Sequence, residues 1–570
     1  MQLGDWLSLL AIMNKDGESE SVAETESAGT VEACEASEPT RLAWRITAAA
    51  ILIAGAFLRL YNLNLVPLHH DEGVNGYFLL HLVNDGFYRY DPQNYHGPTL
   101  YYFAVVIPWI SKSLFGKSFG ETYGLSIFTI RLVTAAFGVA TIWLVLTLRR
   151  RLGTVAALTG AALLAISPGA VYLSRYFIHE TLLVFFTLGI IVAALRFYES
   201  ARPIYLMLAT SSAALMFATK ETAIISAGVL LIALSSIPVL VWLRVLPYSG
   251  NKVSATDEKS LTMRERLRAA TERFGGPSSL AIVSLAAVSL FLAVNVLLYS
   301  SFFTNYPKGL YDALKTFTVW RNTGNHEHVH PWSTYLRWLW QEESPLLLLG
   351  SAGVGLAIWR LALWRSANRF AIFTALWAFG ILAAYSLIPY KTPWLMLNCV
   401  LPLAMISGYA FEEIYKHAAT RRVIALAIVV AALGVSGYQT LKLNFIHYDD
   451  DSYAYVYAHT RRVIFPMLAE IDRLANRAGT GTQTGIAITS PDFWPLPWYF
   501  RSYPAVAFYG RVTPPAEPII IGSYSQVREL EATLGNRYQM IKSGFNPDGT
   551  YSLRPGVELV LFVRSDLATR

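Results

Sequence analysis

Residues 69–98 read HHDEGVNGYFLLHLVNDGFYRYDPQNYHGP, and this polar stretch between two apolar runs organises the rest of the chain. Asp71 and Glu72 are adjacent carboxylates, and in a helix Asp71 would share a face with Asn75. If the flanking runs cross a bilayer, carboxylates so close to it are costly and functional by default. The alternative is a solvated helix N-terminus, where acidic residues are favoured anyway. Because the neighbouring His and Gly residues have no structural need to be there, we predict that Asp71 and Glu72 are catalytic.

The composition of the chain is that of a polytopic membrane protein. Of its 570 residues, 54% are hydrophobic and only 15% are charged. The net charge of +7 is spread over short loops, which argues against a nucleic-acid partner. A helix needs about 17–25 apolar residues to span a bilayer, so we predict an all-α bundle of about 11 transmembrane helices. The apolar runs are 44–60, 126–148, 152–172, 179–197, 203–219, 222–243, 278–300, 344–364, 370–388, 393–413 and 421–440.

The basic residues of the loops predict the orientation of these helices in the cell membrane. If the apolar segment 98–116 does not span the bilayer, nearly all loop Arg and Lys residues fall on one side, which is then cytoplasmic. We therefore expect 98–116 to form an interfacial helix in the first outer loop. The N-terminus is then cytoplasmic, and the unusual polar clusters face outward, as an active site built from separate loops requires.

Three regions follow from these patterns. Residues 1–40 are acidic and rich in Ser, Ala and Glu, so they are predicted to be a disordered cytoplasmic tail. Residues 41–440 form the transmembrane domain. Residues 441–570 have the length and the mixed strand and helix patterns of a small α/β domain, which the same orientation places outside the cell. Within it, 452–479 is predicted to be a helix, and TGIAITS, PIIIGSY and VELVLFV are predicted strands.

Three basic residues at predicted outer turns are candidates for binding a phosphate group. Arg175 could hold a phosphate by paired hydrogen bonds, or it could snorkel at a helix end. Lys391 lies between two prolines in IPYKTPW, so it is presented on a rigid turn, which favours a lipid phosphate over a solubilising role. Lys220 could face a polar cavity, although a plain surface ion pair with Glu221 is slightly favoured.

Aromatic residues near these turns could bind the substrate. His96 precedes a tyrosine-rich segment that includes Tyr101, and this rim could seat a sugar or a lipid. A lone histidine is as often a structural residue, so the two interpretations of His96 stay open. Tyr390 and Trp394 flank Lys391 and are predicted to contact the same substrate.

A divalent cation is an optional cofactor. Asp71, Glu180 and His328 are candidate ligands because all three fall on the predicted outer face. His328 belongs to NHEHVHPW, where alternating histidines would line one side of an extended strand, but a solvated loop is the commoner explanation. Oxygen-rich ligation would favour magnesium, calcium or manganese, and imidazole-rich ligation would favour zinc.

The motifs HGPTLYYF, SRYFIHETLLVFFTL and MFATKET resemble the dolichyl-phosphate-mannose–protein mannosyltransferase type of GT-C membrane glycosyltransferase. More narrowly, HHDEGVNGYFL, YHGPTLYY, HPW, IPYKTPWL and WPLPWYFR are similar to a largely archaeal branch. Its members are named as flippase activity-associated proteins and occur among archaeal N-glycosylation (Agl) genes. The fold implied by the resemblance is a GT-C-like bundle with interfacial helices in the first outer loop.

The resemblance implies a polyprenyl-phosphate-linked sugar as the donor and a glycan, lipid or protein as the acceptor, with transfer on the extracytoplasmic face. It implies that Asp71 is the base or a metal partner and that Arg175 contacts the lipid phosphate. The chain departs from the family pattern at His179-Glu180, where relatives commonly have Asp, and at 219–221, where TKE replaces Thr-Lys-Gly. Two alternatives remain: a flippase or flippase accessory for lipid-linked oligosaccharides, and a binding protein without catalytic activity.

Overall fold

The computed structural model describes residues 40–568 except 95, 116–123, 243–270, 273, 324–327, 365–367, 417–418, 515, 543 and 545. The predicted disordered tail therefore lies almost entirely outside the described residues. The chain divides into two compact units. The first consists of Met1–Tyr61, Phe87–Phe103 and Leu132–Asn444, and the second of Asn62–Gly86, Ala104–Arg131 and Phe445–Arg570. The last boundary lies close to the predicted one at 440/441, but the second unit also takes in two segments that lie mostly between the first two long apolar helices.

The eleven predicted apolar runs all correspond to helices of the described chain. Nine of these helices are long and apolar enough to cross a membrane. A tenth run is a pair of helices bent by 60° at a short break, and an eleventh forms the shorter helix Pro203–Phe217. The nine are Arg41–Leu60, Ile127–Thr147, Glu180–Ser200, Ala223–Val241, Gly276–Tyr299, Ser344–Ala362, Arg369–Leu387, Pro393–Tyr415 and Arg421–Ile446.

The bent pair, Thr154–Ala165 and Pro168–Ser174, has charged groups at its break. Arg59 donates hydrogen bonds to the carbonyl oxygens of Leu164 and Ala165, at 3.1 and 2.8 Å, where the first helix ends. Glu343 accepts from the backbone N–H of Gly169 at 2.8 Å, where the second helix begins. A helix break inside a membrane leaves backbone groups without partners. These two charged side chains supply partners at the two sides of the break.

The segment 98–116, predicted to form one interfacial helix, is divided into two short helices, Thr99–Ala104 and Val106–Phe115. The longer one has 10 residues, which at 1.5 Å per residue gives about 15 Å. A bilayer core is about 30 Å thick, so neither helix is long enough to cross it. This agrees with the predicted count of spans, while the interfacial position stays a prediction.

The second unit contains a mixed β-sheet with helices on both faces. The strands are β1 Ile486–Ile488, β2 Val506–Phe508, β3 Ile519–Ser523, β4 Tyr538–Met540, β5 Tyr551–Arg554 and β6 Val557–Arg564. Their order is β2-β1-β3-β6-β4, with β5 paired to β6; β1 is parallel to both β2 and β3, and β6 is antiparallel to β3. Alternate residues enter opposite cores, because Ile519 and Ile521 cluster with the helix Ile464–Arg477, and Ile520 with the helix Val527–Leu534. The predicted small α/β domain is therefore present.

One predicted helix of this domain is shorter than expected. The pattern predicts a helix over 452–479, but the helix begins at Ile464 and ends at Arg477. Pro466 is the third residue of the observed helix, where a proline needs no hydrogen-bond partner for its nitrogen. One turn further into a longer helix, the same ring would clash with the carbonyl of the residue four before it. The proline therefore limits how early the helix can begin.

Candidate active site

The helix His70–Asp85, called the first-loop helix below, begins with a complete capping box. The Nδ1 atom of His69 accepts a hydrogen bond from the backbone N–H of Asp71 at 3.0 Å. Glu72 accepts one from the backbone N–H of His69, also at 3.0 Å. The Nε2 atom of His69 lies 3.1 Å from the carbonyl oxygen of Tyr457, which can only accept, so Nε2 carries the proton. Burial lowers the pKa of His69 to about 3, so its side chain is neutral. A neutral imidazole suits both contacts, because Nδ1 has to accept a hydrogen bond and Nε2 has to donate one.

Glu72 is buried and forms a bidentate ion pair with Arg131. Nε and one terminal nitrogen of Arg131 donate to its two carboxylate oxygens at 2.7 and 2.6 Å. Arg131 also donates to the carbonyl oxygens of Leu63, Val66 and Pro67, so all five of its N–H groups are used. Glu72 and Arg131 are 0% and 1% exposed. This geometry makes Glu72 a support of the loop, rather than the second reacting carboxylate that the sequence predicts.

Asp71 has a different environment from its neighbour. Its side chain is 36% exposed, and one carboxylate oxygen lies 3.9 Å from Nδ1 of His69. The adjacent His70 ring lies 6.2 Å from the Trp494 ring, and burial lowers the pKa of His70. Asp71 is therefore a solvent-accessible carboxylate on a helix terminus whose position is set by its buried neighbours.

The glycines of DEGVNG have a packing role. A Cβ atom on Gly73 would lie 2.6 Å from Pro495, and one on Gly76 would lie 2.5 Å from the Trp498 ring. The first-loop helix therefore contacts the segment WPLPW of the same unit with almost no side chain in between. The hydroxyl of Tyr499 accepts from the backbone N–H of Leu68 at 2.9 Å, just before the helix cap. The C-terminal domain thus positions the helix that carries Asp71.

In the first unit, the structure brings His96, Lys220 and Glu180 together. Lys220 forms a buried ion pair with Glu180, and their side chains are 4% and 2% exposed. The Nδ1 atom of His96 lies 3.2 Å from a carboxylate oxygen of Glu221. A short backbone bridge joins His96 and Lys220. The two departures from the family pattern, Glu180 and Glu221, are thus each paired with a basic residue of this cluster.

His179 and Gly97 explain why these turns approach each other so closely. His179 is buried and donates from Nε2 to the carbonyl oxygen of Gly97 at 3.0 Å. A Cβ atom on Gly97 would lie 2.0 Å from the carbonyl oxygen of Ala218, so only glycine fits. The ring of Tyr101 lies edge-on to His179 at 5.6 Å and is itself fully buried. Tyr101 is therefore part of the core here, not of an exposed rim for substrate.

The turn around Lys391 pairs with the HPW segment. The backbone N–H of Lys391 donates to the carbonyl oxygen of His328 at 3.0 Å, and a bridge joins Val329 and Tyr390. The residue is 1% exposed, so its side chain is not at an exposed tip as predicted. Its ammonium donates to the carbonyl oxygen of Ile388 and lies 5.9 Å from the Tyr335 ring centre. Among the described residues no carboxylate forms an ion pair with it.

The remaining substrate candidates lie on the same turn. The ring of Tyr390 contacts the His328 ring edge-on at 5.4 Å, and Trp394 lies in the short helix Pro393–Met396.

Arg175 is buried and donates to the carbonyl oxygens of Leu58 and Tyr61, where the first transmembrane helix ends. Arg175 therefore caps a helix C-terminus, a role that the sequence interpretation did not consider.

Comparisons with known proteins agree with this architecture. Residues 97–249 match the family model described as dolichyl-phosphate-mannose-protein mannosyltransferase. The fold is similar to that of ArnT from Cupriavidus metallidurans, solved bound to undecaprenyl phosphate. The TM-score is 0.54 and the identity 14%, over 92% of this chain and 98% of that one. It is also similar to the oligosaccharyltransferase AglB from Archaeoglobus fulgidus, solved with an inhibitory peptide and a dolichol-phosphate. There the TM-score is 0.51 and the identity 13%, over 85% of this chain and 70% of that one.

No curated protein sequence matches the chain at a significant level. Both structural neighbours are GT-C glycosyltransferases, and so is the type to which the family model refers. The chain therefore shares the membrane fold of these GT-C proteins, and the family model matches residues 97–249 of it. Its placement in an archaeal, flippase-associated branch stays a prediction.

The divalent cation of this protein also stays a prediction. Over the described ranges, no three His, Cys, Asp or Glu side chains come together in a way that could hold a metal ion. Of the three candidate ligands, Glu180 forms an ion pair with Lys220. Asp71 lies near His69, and the His328 ring contacts the Tyr390 ring. His326 and Glu327 of the same histidine-rich segment lie outside the described residues. The described residues therefore do not fit a metal centre, and no step below uses one.

Sequence interpretation missed two features that position Asp71. Arg131 is a single charged residue inside an otherwise apolar span, FTIRLVTAAFG, and that rarity was a usable signal. Trp498 is 1% exposed and lies against Gly76. The spacing of Gly73 and Gly76, three residues apart on one helix face, indicated a close contact but not its partner.

Proposed function

We propose that this protein is a glycosyltransferase that moves a sugar from a polyprenyl-phosphate-linked donor to a hydroxyl of a glycan, lipid or protein on the extracytoplasmic face. The family model names dolichyl-phosphate-mannose as a donor, and the ArnT and AglB structures contain undecaprenyl phosphate and a dolichol-phosphate. These ligands belong to those proteins, and they support the same donor class for this chain. The positive-inside pattern supports a cytoplasmic N-terminus and an outer active site.

The difference between two adjacent carboxylates carries this proposal. Glu72 has both oxygens occupied by buried donors, while Asp71 is 36% exposed on the same rigid helix terminus. A general base must reach the proton of an incoming acceptor, and only Asp71 of the pair is accessible. The capping box, Arg131 and the Trp498 contact hold it in place, which lowers the entropy lost on reaching the transition state.

In the proposed reaction, the acceptor oxygen attacks the anomeric carbon while the bond from that carbon to the phosphate oxygen breaks. The acceptor proton passes to the carboxylate of Asp71, and polyprenyl phosphate leaves with the bonding electron pair. A single displacement of this kind inverts the anomeric centre. In the first unit, Lys391 is a separate candidate for binding a donor phosphate. Its ammonium is buried without a carboxylate partner in the described chain, so an anionic ligand would supply the missing counter-charge.

The experiment compares Asp71→Asn with Asp85→Asn in the purified full-length protein. Asp85 is the last residue of the same helix and is exposed, so it is a matched control. With a panel of polyprenyl-phosphate sugars, we expect Asp71→Asn to lower the transfer rate by at least about 10²-fold, and Asp85→Asn to leave it within twofold. Equal turnover of Asp71→Asn and wild type would remove Asp71 from the mechanism.

The alternative function requires a different assay of the same protein. A flippase would move a fluorescent lipid-linked sugar across proteoliposomes, and its activity would not depend on Asp71 as a base. Translocation without glycosyl transfer would therefore replace our proposal with the transport function. Donor binding without either activity would identify a binding protein.

A further inference from the structure

The first unit contains a cavity. None of the residues to which the proposed reaction assigns a role lines this cavity. It has a volume of about 320 Å³, near the lower end of the roughly 300–1,000 Å³ typical of ligand pockets. Its lining combines two cations, two aromatic rings, an amide and a hydroxyl: Arg89, Lys308, Phe87, Tyr90, Asn305 and Thr304. This composition indicates an anionic ligand that also has an apolar part.

The two cations of the cavity are available to such a ligand. Arg89 is exposed and stacks over the Phe87 ring at 5.0 Å, and within the described ranges no carboxylate pairs with it. Lys308 forms an ion pair with Asp312 one helical turn away, and its side chain is 72% exposed. Ion pairs at this exposure are worth little, so Asp312 does not hold Lys308 strongly. Among the described residues, Arg89 therefore has no carboxylate that balances its charge, and Lys308 has only the exposed ion pair with Asp312.

One wall of the cavity is a turn with an uncommon backbone conformation. Ser301, Phe302 and Phe303 have φ values of 49°, 53° and 70°, in the left-handed region that is unfavourable for residues other than glycine. Two hydrogen bonds to the Ser301 hydroxyl hold this turn, from the backbone N–H of Tyr88 at 2.8 Å and the hydroxyl of Tyr102 at 2.9 Å. Thr304 and Asn305 of the cavity lining follow directly. The chain thus maintains a costly conformation where the cavity forms.

The same turn places apolar rings at a membrane interface. It directly follows the transmembrane helix Gly276–Tyr299. Phe302, Phe303 and Tyr306 are 53%, 59% and 59% exposed. Exposed aromatic rings at the end of a span are typical of the headgroup region of a bilayer. The cations of the cavity therefore lie within a few residues of exposed aromatic side chains that follow a candidate membrane span.

We propose that this cavity binds the phosphate headgroup of a membrane lipid, with Arg89 and Lys308 as the phosphate ligands. Arg89 offers planar paired donors and Lys308 a mobile point charge, and both suit phosphate oxygens. Phe302 and Phe303 line the path by which the lipid chain leaves toward the bilayer. The site does not depend on the glycosyl transfer proposed above, since it requires only a phosphate lipid.

The test measures ligand binding to the purified full-length protein by microscale thermophoresis. The probes are a short-chain polyprenyl phosphate, a short-chain phosphatidic acid and inorganic phosphate. The variants are Arg89→Gln and Lys308→Gln, with Lys315→Gln as the control, because Lys315 is an exposed lysine of the same helix that does not line the cavity. All three positions are exposed, so each variant should fold.

We expect Arg89→Gln and Lys308→Gln each to weaken lipid binding by about tenfold or more, as loss of a hydrogen bond to a charged group predicts, and Lys315→Gln to change it less than twofold. The lipid that binds more tightly identifies the headgroup. Inorganic phosphate binding as tightly as either lipid would overturn the lipid assignment. Equal binding by all three variants and wild type would overturn the site. Lys391→Met should leave phosphatidic acid binding unchanged, so failure of this site and failure of the proposed donor contact are distinguishable.

Discussion

Glu72→Gln should destabilise the first-loop region rather than merely slow catalysis. The amide keeps the shape of the side chain but removes the negative charge that pairs with the guanidinium of Arg131, which is 1% exposed. Removing one partner of a buried ion pair costs about 3–5 kcal/mol, and a native domain is stable by only about 5–15 kcal/mol. Asp71→Asn, one residue earlier and 36% exposed, should cost about 0.5 kcal/mol or less. The two variants should therefore separate in apparent melting temperature.

The assay is thermal unfolding of the purified protein in detergent, with transfer activity measured well below the transition. The double variant Glu72→Leu/Arg131→Met serves as the control, because neither charge is then left buried. The double variant should recover only part of the lost stability, because Arg131 also donates hydrogen bonds to the carbonyl oxygens of Leu63, Val66 and Pro67. A Glu72→Gln protein that melts like wild type and has no activity would refute this reasoning and make Glu72 a reacting group.

Three further predictions concern other parts of the structure. The folded pKa of His69 is about 3 and its unfolded pKa 6.5, so the unfolded chain alone holds a proton between these values. The free energy of unfolding should fall as the pH drops through that window, by about 1.4 kcal/mol per pH unit. His69→Asn keeps a capping acceptor, and it should reduce the slope of melting temperature against pH. Gly76→Ala should destabilise the protein by about 1–3 kcal/mol because its methyl group meets Trp498, whereas Gly228→Ala, in open space, should be neutral or stabilising in the same melting assay. Lys391→Met should leave the melting temperature unchanged or higher while raising the KM for donor, and a lower melting temperature with normal KM would show that the ammonium is structural.

The two acidic residues of the DE pair show how far sequence interpretation could go. A carboxylate pair beside a span indicated function, whereas the capping preference at a helix start indicated structure. Glu72 follows the capping rule, and the functional role of Asp71 stays a prediction. Glu72 forms an ion pair with Arg131, which lies 59 residues later in the chain. No local sequence pattern could reveal a partner at that separation. The same limit applies to Lys220, whose partner Glu180 lies 40 residues earlier.

Lys391 and Arg175 were assigned the same role from similar evidence, a basic residue at an outer turn. In the structure Arg175 donates to the carbonyl oxygens at the end of the first transmembrane helix, while Lys391 is buried against one carbonyl and an aromatic ring. Residue type and position in a turn do not distinguish these environments. They differ in which distant backbone groups the fold brings within hydrogen-bond range.

The sequence by itself determined the number and order of the apolar helices and the presence of a C-terminal α/β domain. Span length and strand alternation are local properties, and a bilayer or a sheet face imposes them wherever the segment lies. Only the tertiary structure decided that the segment WPLPW, more than 400 residues away, contacts Gly73 and Gly76 and so holds Asp71 in place. Side-chain roles depend on partners, burial and counter-charges, and these arise when segments far apart in the chain pack together.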